Sequence, residues 1–170
     1  MAEGRSLNEL ILEPGTRAVA FGRLEPAEDQ TYALWVVPGY NPETSCRVAG
    51  GVVSVVPKEW PAELPAGTVN VTGMWTGEGL VEASITEARR PVAEPWVGDP
   101  GTVAMSQLGP ERHSELSHRL VSASVEPVLG IGGSDDGIVM HVLYITPSLV
   151  EAYRNLPVRA DIYAAITPLP

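Results

Sequence analysis

Residues 67–88, GTVNVTGMWTGEGLVEASITEA, constrain the fold more than any other part of the chain. Before the turn, Val69, Val71 and Gly73 alternate with Asn70, Thr72 and Met74. After it, Val81, Ala83 and Ile85 alternate with Glu82, Ser84 and Thr86. A period of two places each apolar set on one face of a strand, and Thr76-Gly77-Glu78-Gly79 supplies the turn between them. The pattern predicts a β-hairpin with one buried face. A one-residue slip would turn that face to water, so its register is fixed. No side chain in it is an obvious catalyst.

The rest of the chain is heavily punctuated. It has 17 glycines and 16 prolines in 170 residues, about 19% against a usual share of roughly 12%. Turns should therefore be many and long helices few. The length suits one large or two small domains and can bury about 70% of the unfolded surface without a disulfide or metal staple. Ser6 with Glu9 forms a capping box for a short helix over residues 6–12, stopped by Pro14-Gly15. Strands are predicted at 17–24, with Gly22 marking a bend, at 30–37 and at 51–56. Residues 58–67, KEWPAELPAG, are too proline-rich for a long helix.

Residues 91–110 lack periodicity and contain Pro91, Pro95, Pro100 and Pro110. They read as a linker or surface loop carrying Trp96. Beyond it, a short helix is predicted at 111–119 and a strand at 121–129. Residues 130–137, GIGGSDDG, read as a flexible turn, and 138–145, IVMHVLYI, as a buried strand. Thr146-Pro147 starts a helix running to about residue 155, and 158–166 form a last strand. The fold class is thus mainly β with minor α: residues 1–90 a small barrel with a short N-terminal helix, 91–110 a linker, and 111–170 a small α+β unit packed on the first half.

The order of five short strands over residues 17–88, with VNVTGMWTGEGLVEASI near its end, resembles an OB-fold barrel. The resemblance implies a platform for single strands or sugars, with Tyr32, Trp35 and Trp75 as platform residues. The charge argues against the first of these. Net charge is −10, and ten of the eleven basic residues are Arg, leaving Lys58 as the only Lys. Such a surface repels phosphate backbones and anionic membranes, so nucleic acid is disfavoured as a partner.

No stretch approaches the roughly 20 apolar residues of a membrane span. The first residues, MAEGRSLNELILEPG, do not read as a secretory signal. Cys46 is the only cysteine and allows no intrachain disulfide, which fits a cytoplasmic location. It has no local base to activate it.

Chemistry-bearing motifs are sparse. The segment at 130–137 contains G-x-G, but Asp135 stands where a dinucleotide loop needs glycine. His113 and His118 are five apart, about 140° around a helix, and do not share a metal-binding face. No cofactor or metal is implied. His141 is the catalytic candidate, as a base with Asp161 or Tyr163. Trp35, Trp75 and Trp96 are the binding candidates.

The leading expectation is a non-enzymatic interaction module, of accessory or immunity type, that offers an acidic surface to a basic protein partner. The alternatives are a small hydrolase or isomerase built on His141, and a small-ligand protein with a pocket between the halves.

Overall fold

The computed structural model describes residues 5–28, 30–36, 51–90, 96–97, 107–123, 128–134, 137–158 and 160–169. Among the described residues the chain is mostly β, with two small helices. Five strands close a barrel: β1 (Arg17–Pro26), β2 (Tyr32–Val36), β3 (Val52–Pro57), β4 (Thr68–Trp75) and β5 (Gly79–Glu87). Their order is β1-β2-β3-β5-β4, and β4 returns to pair with β1. The β3–β5 pair is parallel and the others are antiparallel. The barrel is OB-like at the level of fold. β4 and β5 are the hairpin expected from residues 67–88, and Gly77 takes a φ of +98° in its turn.

Two local devices bend the barrel. Glu82 has a φ of +49°, and register shifts on both sides of β5 near it, between Thr72 and Met74 on β4 and between Val55 and Pro57 on β3. One extra residue on β5 accounts for both shifts and sharpens the local twist. Gly22 is the second device. A β-carbon there would run into the carbonyl oxygen of Trp35, so the close β1–β2 approach requires glycine. Past this bend β1 changes partner. Residues 22–26 pair with β2, while residues 18–20 pair with β10 (Ile166–Pro168), the last strand of the chain.

The second sheet has the order β6 (Trp96–Val97), β9 (Ala160–Ala164), β8 (Gly137–Val142), β7 (Val128–Ser134). β8 and β9 are parallel and joined through helix α2 (Pro147–Arg154), as a parallel pair requires a crossover. The Thr146 hydroxyl accepts from the Leu149 N–H at 3.3 Å, and Pro147 occupies the first turn, which is the predicted helix start.

Three expectations need correction here. Helix α1 spans Pro110–Ala123 and takes in Val121 and Ala123, which alternation had placed in a strand. Leu116 and Leu120, spaced i, i+4, are both buried, and docking of that face extends the helix. The glycines at 130, 132 and 133 are not a turn but lie in β7, held in register by β8 through Gly130↔His141, Gly132↔Val139 and Gly133↔Ile138. A strong neighbouring strand overrides their low β-propensity. Finally, Trp96–Val97, expected in a linker, forms a short edge strand against Asp161 and Ile162.

Two hydrophobic clusters result. One fills the barrel, with Leu34, Val53, Val55, Val69, Val71, Trp75 and Leu80. The other lies between the second sheet and its helices, with Leu116, Leu120, Met140, Val142, Leu149 and Ile162. Burying each such side chain contributes about 1.5–3 kcal/mol before entropy is counted. The clusters are stitched together. Leu129, Leu143 and Ala165 from the second half belong to the barrel cluster. The N-terminal 3-10 turn Leu7–Leu10, read from sequence with the first half, places Leu7 and Leu10 in the second cluster. Its capping box is present: the Ser6 backbone N–H and hydroxyl both donate to Glu9 Oε2, at 2.6 and 2.8 Å. These bonds, the hydroxyl first, hold the Glu9 carboxyl below its usual pKa.

Candidate functional site

Alternation along β2 and β3 sorts side chains between the barrel core and its outer wall. Leu34, Val36, Val53, Val55 and Pro57 are buried, whereas Ala33 and Trp35 are half-buried and Val52, Ser54 and Val56 are exposed. Trp35 stands opposite Val52 on one side and Arg23 on the other. Its indole N–H donates to Glu25 Oε2 at 3.0 Å, which orients the ring on the wall. Val52 and Val56 are 40% and 37% exposed. Trp60, just beyond β3, is 50% exposed. It meets Tyr32 in a tilted contact, with ring centroids 5.0 Å apart and planes at 58°. Lys58, Glu59 and Glu63 beside it are all exposed. The outer wall thus carries Trp35, Val52 and Val56, with Glu25 bonded to the indole, while Trp60 stands at the end of β3 against Tyr32, flanked in sequence by Glu59 and Glu63.

Sequence reasoning missed Trp60, Val52 and Val56. The signal for Trp60 was present, as an indole set between prolines in a segment too broken to bury it. For the valines, the continuous run GVVSVVP did not say which member faced inward.

The other aromatic candidates fare differently. Trp75 is 1% exposed and lies in the barrel core, against Tyr144 at 5.2 Å and 59°. It closes the barrel end and offers no surface to a partner. The backbone of Trp96 runs in β6, and its side chain lies outside the described residues, as does Cys46.

His141 lies on the face of the second sheet away from α1 and α2. Ile138, Met140 and Val142 point to the buried side; Val139 and His141 alternate with them and are half-buried. Parallel register places His141 beside Tyr163 and Val139 beside Asp161, so the three candidate residues share one face. The imidazole and phenol rings stack at 5.0 Å and 27°. Across from His141 stands Gly130, which adds no side chain. Burial pushes the imidazole pKa below its ordinary value, keeping the ring neutral at pH 7. Nδ1 is buried and has no hydrogen-bond partner among the described residues. A neutral ring suits a base, and with Nδ1 closed off the nitrogen such a base would use is Nε2.

His113 is half-buried and His118 exposed on α1. Among the described residues, no group of three or more His, Cys, Asp or Glu side chains is placed to hold a metal ion. Likewise, no helix among them is long and apolar enough to cross a membrane. No family model matches the chain, and neither the curated proteins nor the solved structures give a match. The OB-like likeness therefore rests on strand order and closure.

Proposed function

We propose that this protein is a non-enzymatic interaction module that binds a basic protein partner on the outer β2–β3 wall of the barrel. One observation carries the reading: Val52 is exposed opposite the oriented indole of Trp35, Val56 is exposed farther along the same face of β3, and Trp60 is exposed just beyond its end, on a chain of net charge −10. Apolar and aromatic anchors supply binding energy when desolvated. The acidic balance selects partners rich in Lys and Arg and speeds their approach. The same balance disfavours single-stranded nucleic acid on this wall, although the fold tolerates such ligands elsewhere.

The test is a titration with Lys/Arg-rich peptides against Glu-rich peptides of equal length, followed by tryptophan fluorescence and by stopped flow. Basic peptides should bind, with an on-rate that drops steeply between low and physiological salt. Trp60→Ala and Val56→Ser should each weaken binding about tenfold or more. A salt-independent on-rate, or affinity that survives both substitutions, would show that the wall is not the binding surface.

A further inference from the structure

We infer that residues 5–12 form a clasp that holds the second sheet and its helices to the barrel, and whose release lets that layer open while the barrel stays closed. The segment enters both cores within six residues. Leu7 and Leu10 are buried in the second cluster, and Leu12 in the barrel cluster. Between them Ile11 bridges to Ile145, and the Leu12 N–H donates to the Ile145 carbonyl at 3.0 Å.

Polar contacts fasten the outer side. Arg5 donates to the Pro168 carbonyl at the end of β10, at 2.7 Å, and to the Glu9 carbonyl at 3.0 Å. Arg154, in the last turn of α2, donates to Asn8 Oδ1 at 2.8 Å. Immediately downstream, Gly15 and Thr16 exchange backbone hydrogen bonds with Trp75 at 2.7 and 2.9 Å, at the barrel end where Trp75 meets Tyr144.

A four-residue 3-10 turn has no stability of its own. The order of this segment comes from docking, so it leaves as one unit when its contacts fail. Its departure uncovers α2 and the second core beneath it, whereas β10, which it also touches, stays paired with β1 in the barrel sheet and the β4–β5 hairpin keeps its neighbours on both sides. This device is separate from the β2–β3 wall and does not depend on the proposed partner.

Hydrogen exchange on the full chain tests it, with Leu10→Ala and the surface variants Arg5→Ala and Arg154→Ala. In Leu10→Ala, amides of α2 and β9 should exchange about 30-fold faster or more, the low end for loss of a buried leucine. Amides of β4 and β5 should change by less than about threefold. The arginine variants should accelerate the same α2 and β9 amides to a smaller degree, and they carry the test if Leu10→Ala does not fold. Equal acceleration in both sheets would mean one indivisible core. Unchanged α2 and β9 amides would mean the segment holds nothing. Either result overturns the clasp.

Discussion

At position 141 a titratable ring is set by its surroundings rather than by a charged neighbour. Burial alone lowers its pKa from the ordinary 6.5, so the unfolded chain binds more protons than the folded one between the lowered value and 6.5. Stability is therefore complete above pH 6.5 and declines as pH falls through that window to the folded value. The His141 imidazole signals should titrate below 6.5 in NMR spectra of the native protein. Replacing the ring by His141→Gln should flatten the pH dependence of the urea midpoint in the same window. An unaltered slope would mean that other groups set it. The strand register that places His141 beside Tyr163 also gives its neutral ring a flat partner.

β1 shows what a single element can be asked to do. One strand pairs with β4 along its length, with β2 at one end and with β10 at the other. Two partners can follow one another on the same edge only if the strand bends between them, and Gly22 sits at that bend. Gly22→Ala should cost at least about 2 kcal/mol, because the added methyl meets backbone rather than a movable side chain. Urea denaturation measures this; a loss below about 0.5 kcal/mol would show that β1 and β2 can part without consequence. The predicted bend at Gly22 was legible, since glycine inside an apolar strand marks a close approach. The change of partner at that bend was not, because β10, which pairs with residues 18–20, is contributed from the far end of the chain.

For the whole molecule, the two ends of the chain matter as much as its middle. β10 completes the row begun by β2, and the N-terminal segment feeds both hydrophobic clusters. With the clasp intact, the two cores should unfold together. Tryptophan fluorescence of a Trp96→Phe variant, whose remaining indoles lie on or beside the barrel, and far-UV circular dichroism, which includes α1 and α2, should give coincident urea transitions. Separated midpoints in the native chain would show that the two cores are already independent.

Local physics settled what depends on neighbours in sequence. The period-two pattern of residues 67–88 specified β4, β5 and their turn; Thr146-Pro147 specified the start of α2; Ser6 and Glu9 specified the N-terminal cap. Each rests on contacts within a few residues, so no knowledge of the distant chain was needed. Tertiary structure decided the rest. It chose which face of the Val52–Pro57 run looks outward, buried Trp75 and exposed Trp60, drew three glycines into β7, and carried α1 through Val121. These outcomes turn on which remote strand or helix packs alongside, and an apolar pattern states that a face must be covered without naming what covers it. The candidate binding wall belongs to this second group, because it consists of the positions that barrel closure left uncovered.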